Sequence, residues 1–365
     1  MIGVMKADQV ERTRGRTSKW VAGGLAAAVA AAGIATWASS AAAADPTLPP
    51  LTASELLNRV ATSDVAAMSA TFTQRSDLGL PALPAGLGDS GDELQTALNM
   101  LTGEHTIRVW TNGPQRSRVS LVDADKESSV IRNGDQLWTW SSDKQKVGHA
   151  KLDGKSPAPR PSGTPRTPAE TVDRLLKAVG PSTEVSTSGT GYVAGRSVYQ
   201  LILAPRDNAS LVGQVRLSID SVTFVPLGLR VIDRGGAEAM SLTASAVDFN
   251  APDDSVFSFT PPPGSEVTEL DHKSSERPSG KPSTGNAPKT YGTGWATVTV
   301  VNVGTKQATD PAARALLNSL PAVSGAWGSG RLLSTSLVNV VITDDGRIAA
   351  GSVTADRLYA ALANR

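Results

Sequence analysis

The chain has 365 residues, a formal net charge of +1, 40% hydrophobic and 4% aromatic residues, and no cysteine. That length allows a sizeable core in one or two domains, while the missing cysteines exclude a disulfide scaffold, thiolate metal sites and a lipid-modified cysteine. Residues 1–20 carry +3 and the remainder −2, so the folded part offers no basic stripe of the kind nucleic acid needs.

At the front, Arg12, Arg14, Arg16 and Lys19 precede a small-residue apolar run over residues 20–38, followed by Ser-Ser-Ala-Ala-Ala-Ala-Asp-Pro. A basic start, an apolar middle and an Ala-x-Ala site predict that residues 1–44 are a secretory signal peptide cut after Ala44. The alternative is an uncleaved N-terminal anchor, against which the run is weakly apolar because it is mostly Ala and Gly. The arginines are not adjacent, so nothing supports a twin-arginine signal. Either way the folded part is expected outside the cytoplasm, in the cell envelope.

Residues 45–51 form a Pro-rich arm, and Thr52 with Glu55 makes a capping box for a helix carrying Leu56, Leu57, Val60, Ala61 and Val65 at helical spacing. Ala70-Thr-Phe-Thr-Gln-Arg-Ser76 reads as a strand with Phe72 on one face. Residues 79–103 differ in character: Leu-Gly-Leu-Pro-Ala-Leu-Pro-Ala-Gly-Leu-Gly is apolar but too rich in Pro and Gly for a strand. A capping box at Ser90 and Glu93 then starts a short amphipathic helix with Leu94, Leu98 and Leu101. This segment is either a surface insertion or a lid; its leucines suit an apolar surface better than water, which favours the lid.

Four strand-like runs follow, over residues 105–111, 116–122, 128–132 and 136–140, with Asn133-Gly134 as a hairpin signal before the last. Trp138 and Trp140 sit two apart and share a face, where core packing is the commoner role. Residues 151–166 read as a polar loop, and Thr167-Pro168-Ala169-Glu170 caps a helix with Val172, Leu175, Leu176 and Val179. Residues 197–264 carry further strands joined by connections too short for crossover helices, so neighbours must run antiparallel. In Gln214–Asp220, Val215, Leu217 and Ile219 alternate with polar residues, and Pro261, Pro262 and Pro263 are expected to stop further pairing.

Residues 271–290 have the composition of a linker. Residues 291–365 read as a small α+β unit: strands at 295–303, 331–343 and 347–352, a turn at Asp344-Asp345-Gly346, and helices starting at Asp310-Pro311 and at Thr354. His105, His149 and His272 fall on a strand, a loop and the linker without metal-ligand spacing. Gly-Thr-Gly-Tyr-Val-Ala-Gly over residues 189–195 lacks the dinucleotide-loop spacing and reads as a turn, and no nucleophile elbow, P-loop or HExxH occurs. No enzyme, cofactor or metal is therefore expected.

Three motifs in order carry a resemblance. Phe72-Thr73-Gln74 resembles the F-x-Q strand of the LolA-type lipoprotein-carrier family, and Asn133-Gly134-Asp135-Gln136-Leu137-Trp138 is similar to its D-G-x-x-L-W hairpin, with Asn for Asp. Phe257-Ser258-Phe259-Thr260-Pro261-Pro262-Pro263-Gly264 resembles its closing F-x-F-x-P-P-x-G. Where Gram-negative carriers have an Arg-Pro pair, this chain has Gly113-Pro114. Residues 197–231 are also similar to RseB/MucB-type regulators, which join a LolA-like domain to a smaller C-terminal one and bind an anti-sigma factor. The Ala, Gly, Val and Arg bias suggests a high-GC bacterium.

The resemblance runs from about Thr52 to Leu270 and implies a domain over residues 45–270 with an α+β fold: an incomplete antiparallel β-barrel closed by helices around an apolar cavity for acyl chains. It implies a carrier of lipids or lipoproteins; the alternative is an envelope-stress regulator with a membrane protein partner. Cavity or lid residues are expected to be Phe72, Leu83, Leu94, Leu98, Leu101, Val109, Trp138, Trp140, Leu175, Leu217 and Leu229.

Overall fold

The computed structural model describes residues 45–80, 102–123, 126–152, 180–270, 287–304, 314 and 317–364. The expected targeting segment, most of the expected lid with Leu83, Leu94, Leu98 and Leu101, the expected helix with Leu175, and the linker up to residue 286 lie outside them.

Helix α1 (Ala53–Ala61) starts where the capping box places it: the Thr52 hydroxyl accepts from the Glu55 amide at 3.2 Å, and the Glu55 carboxylate accepts from the Thr52 amide at 2.8 Å. The strands that follow are β1 (Ala67–Ser76), β2 (Gly103–Asn112), β3 (Arg116–Asp123), β4 (Lys126–Asn133), β5 (Gln136–Ser141) and β6 (Lys146–Lys151). After them come β7 (Thr183–Val193), β8 (Arg196–Pro205), β9 (Val212–Asp220), β10 (Pro226–Asp233), β11 (Glu238–Asp248) and β12 (Glu266–Glu269). All twelve join one open sheet in the order β12-β6-β5-β4-β3-β2-β1-β11-β10-β9-β8-β7. The chain meanders outward from β1 to β6, restarts at the far edge with β7, and meanders back until β11 pairs with β1. Short connections force antiparallel neighbours along each meander, β9 and β10 included.

Directly opposed residues share a face, so the registers show how side chains are sorted. One row runs Leu201–Leu217–Leu229–Leu242 across β8 to β11. On the same face, Ala70–Val109–Val119–Val130–Thr139 and Phe72–Ile107–Leu121 cross β1 to β5. Helix α1 covers the β8–β9 end of this apolar face, where Leu56 is buried against Tyr199, Leu201 and Ile219. The opposite face of β3 to β5 is covered by the segment after β11, whose 3-10 turn (Asp254–Phe257) buries Phe257.

A second antiparallel sheet has the order β13-β14-β18-β17-β16-β15. Its strands are β13 (Lys289–Tyr291), β14 (Val298–Asn302), β15 (Ala322–Gly325), β16 (Gly328–Ser334), β17 (Asn339–Thr343) and β18 (Arg347–Gly351). Helix α2 (Ala355–Ala363) packs Leu358, Ala361 and Leu362 on Val298, Val341 and Ala349. Segments at and flanking the strand ends of the two sheets are hydrogen-bonded to one another. The Leu211 amide donates to Ser352 O at 2.9 Å, Trp295 Nε1 to Thr183 Oγ1 at 2.6 Å, and the Ser336 amide to Leu78 O at 2.8 Å.

Several expectations need correction. The three prolines do not end the pairing: two residues after Gly264, β12 adds to β6 in parallel, the one parallel neighbour of the large sheet among the described residues. Proline lacks only its own donor, and β12 starts beyond the last of them. Residues 189–193 belong to β7, whose register shift between Thr187 and Thr190 absorbs Gly189; the turn is Ala194-Gly195, both at positive φ. His149 lies on β6, a strand too polar and short for its pattern to show. The run at residues 331–343 is two strands, β16 and β17, with a turn at Thr335 closed by its hydroxyl on the Val338 amide. β13 begins inside the expected linker.

Candidate functional site

The large sheet's apolar face is only partly covered by α1. Beyond β1 it continues over β2 to β6, where Val119 and Val130 stay 43% and 49% exposed although they face each other across the β3–β4 ladder. Around them lies an open groove of about 600 Å³, walled by Val119, Leu121, Val130, Thr139, Gly148 and Leu270. Leu270 follows β12 and is 40% exposed. It lies so close over Gly148 that a Cβ there would sit 2.9 Å from Leu270 Cδ1 and 2.4 Å from Thr139 Oγ1. Glycine at that position is what lets the leucine rest on the sheet. Ser128, Ser141 and Lys146 line one end of the groove, with Lys146 Nζ 3.9 Å from Glu266.

A smaller hollow of about 270 Å³ lies at the other end of α1, lined by Val60, Met68, Thr111, Phe224 and Pro226. Phe224 adopts φ +57° there, and the Arg59 guanidinium sits 5.0 Å from its ring. The turn that holds Phe224 is organised by Asp220, whose buried carboxylate accepts from Arg196, from the Thr223 amide at 2.7 Å and from the Thr223 hydroxyl at 2.8 Å.

Of the residues singled out from the sequence, Phe72, Val109, Leu217 and Leu229 lie on this apolar face, all of them half-buried. Although Trp140 also borders the groove, Trp138 and Trp140 lie by register on the opposite face. There Trp138 stacks on His149 at 4.0 Å and both tryptophans lean on Phe259. Sequence reasoning missed Val119, Leu121, Val130 and Leu270. Period-2 alternation in Arg116–Asp123 marks the first two, but Leu270 sits beyond a Pro-rich stretch that carries no strand signal.

The arrangement can bury a flexible apolar chain along a row of aliphatic side chains. Among the described residues, no three His, Asp or Glu side chains are grouped to hold a metal, and no helix is long and apolar enough to cross a membrane. The open antiparallel sheet, with a capped first helix on its apolar face, is the architecture that the LolA-type resemblance implies; the described residues do not form a helix-closed cavity.

No protein-family model and no curated protein sequence matches the chain. Among solved structures, the Pseudomonas aeruginosa MucA/MucB complex is similar at 15% identity and a TM-score of 0.47, over 85% of this chain and 96% of that one. An uncharacterized conserved protein from Thermus thermophilus is similar at 12% identity and a TM-score of 0.35, over 60% of this chain and 99% of that one. A LolA superfamily protein from Nitrosomonas europaea is similar at 11% identity and a TM-score of 0.23, over 57% of this chain and 99% of that one.

Proposed function

We propose that this chain is a non-enzymatic, extracytoplasmic binding protein that holds the acyl chains of a lipid or lipoprotein against the apolar face of its large sheet. One observation carries the reading: Val119, Val130 and Leu270, exposed at 43%, 49% and 40%, converge on one open groove of a sheet whose same face is elsewhere buried under α1. Converging exposed aliphatics of this kind mark a binding surface, whereas scattered ones do not. Each buried CH₂ contributes roughly 0.8 kcal/mol, so a chain of about sixteen carbons gains on the order of 10 kcal/mol before the costs of binding.

Native mass spectrometry of protein purified from a membrane-containing host should show bound lipid. Delipidated protein should bind a fluorescent fatty-acyl probe saturably; absence of saturable binding removes the reading. A regulatory role is favoured by a separate observation, the hydrogen bonding of segments flanking the second sheet to those of the large one at Ser352, Trp295 and Ser336. A protein partner on that second unit would be mechanically linked to the groove. Amide protection at residues 352–354 should then differ between lipid-free and probe-saturated protein.

A further inference from the structure

We propose that Asp135, Gln136, His149 and Glu269 form a proton-operated latch on β12, which sets how firmly Leu270 closes the end of the groove. The latch rests on side-chain geometry alone; only its effect on ligand release depends on the acyl-binding reading.

β12 is a weak attachment by its backbone. It is an exposed edge strand, parallel to β6, and its ends are tied by the Glu266 amide to Gln145 O at 2.9 Å and the Leu270 amide to His149 O at 2.6 Å. Short parallel edges of this kind open readily. The side chains add a further tie. His149 Nδ1 faces both carboxylate oxygens of Glu269, at 2.8 and 2.9 Å, and His149 Nε2 lies 2.7 Å from Gln136 Oε1.

The protonation state that fits this arrangement can be read from the far end of the chain. The Gln136 amide nitrogen donates to Asp135 Oδ1 at 2.8 Å, and an ionised carboxylate can only accept. That orients the amide, so its oxygen is the atom facing the histidine. Both ring nitrogens of His149 therefore confront acceptors. A neutral imidazole has one N–H, so both contacts are hydrogen bonds only when the ring carries two protons. Trp138, stacked on the ring at 4.0 Å with planes 26° apart, holds the imidazole in this orientation.

The surrounding charges leave this arrangement intact. Lys151, also on β6, has its Nζ 3.7 Å from Asp135, and Lys146 pairs with Glu266 one turn of the ladder away. The neighbours from β5 and from the covering segment, Trp138 and Phe259, carry no charge. The histidine is 18% exposed and Glu269 71%, so the proton exchanges with solvent and the carboxylate is free to leave. When the second proton is lost, one contact becomes acceptor against acceptor. Glu269, the exposed partner, swings away, and β12 loosens together with Leu270.

Hydrogen–deuterium exchange on the intact chain tests this between pH about 5.5 and about 8.5, a span that brackets histidine titration. With rates normalised to intrinsic amide exchange, protection over residues 265–270 should fall roughly three- to fivefold at the alkaline end, as suits a partly exposed ion pair. Residues 212–220 of β9 serve as the unchanged reference. His149→Gln should make residues 265–270 indifferent to pH, and Glu269→Gln at the exposed end does the same if the first variant folds poorly. Protection that does not change with pH in the wild type, or a pH response that survives in either variant, overturns the latch. Acyl-probe off-rates should rise with pH in parallel. Pure proton-dependent exchange with invariant off-rates overturns the link to the groove, and exchange that responds while no probe binds at any pH overturns the acyl reading and leaves the latch standing.

Discussion

Asp220 ends β9 with its side chain 1% exposed, and a charge so placed needs every acceptor site filled. Burial alone would push its pKa up; the Arg196 guanidinium and the Thr223 amide and hydroxyl outweigh burial and hold it below the usual carboxylate range. A depressed pKa contributes stability that is present above the unfolded value and is lost as pH falls through the folded one. Asp220→Asn keeps the shape but leaves Arg196 without its countercharge, so stability at neutral pH should drop by about 2–3 kcal/mol. Chemical denaturation across pH should also show a shallower loss on the acid side than in wild type. Val119 and Val130 behave differently because they are exposed. Val119→Asp with Val130→Asp should change stability by no more than about 1 kcal/mol, yet weaken acyl-probe binding at least about tenfold, as a charge in the groove must lose its water on binding. A double variant that unfolds instead would place both valines in the permanent core.

At the scale of elements, the start of α1 was legible because a capping box is a local pattern, but its end was not: Val65, expected on the helix, lies beyond the last turn at Ala61. Thr52→Ala removes one side of that box and should cost about 1 kcal/mol, read as faster amide exchange over residues 53–61. Leu56→Ala should cost roughly 2–4 kcal/mol in global stability, since Leu56 fills the space between Tyr199, Leu201 and Ile219. The strands from β2 to β5 and from β8 to β11 were equally readable, through alternation and turn residues. β6 and β12 were not. Lys146–Lys151 has two small residues and no repeated aliphatic pair, and Glu266–Glu269 has one apolar residue in four. Such strands are selected by the neighbour that supplies their hydrogen bonds, and that neighbour is distant in sequence for β12.

For the whole molecule, the second sheet is held to the large one by a few polar contacts at strand ends, with the Trp295–Thr183 bond among them. Trp295→Phe keeps an aromatic side chain, though a smaller one, and removes that donor, so it should cost about 1 kcal/mol and speed amide exchange over residues 206–212, where the sheets meet. Unchanged exchange there would mean the remaining contacts suffice. The sequence by itself determined the capped helix, the hairpins and the antiparallel habit, because each depends on residues within a few positions of one another. It also identified Phe72, Val109, Leu217 and Leu229 as apolar strand residues. Only the tertiary structure decided that these four share a face while Trp138 and Trp140 take the other. Facing depends on the register of every intervening ladder, and one shift of register reverses it. The same holds for Leu270 and for the His149–Glu269 pair, whose partners meet because a parallel strand returns across 120 positions of chain.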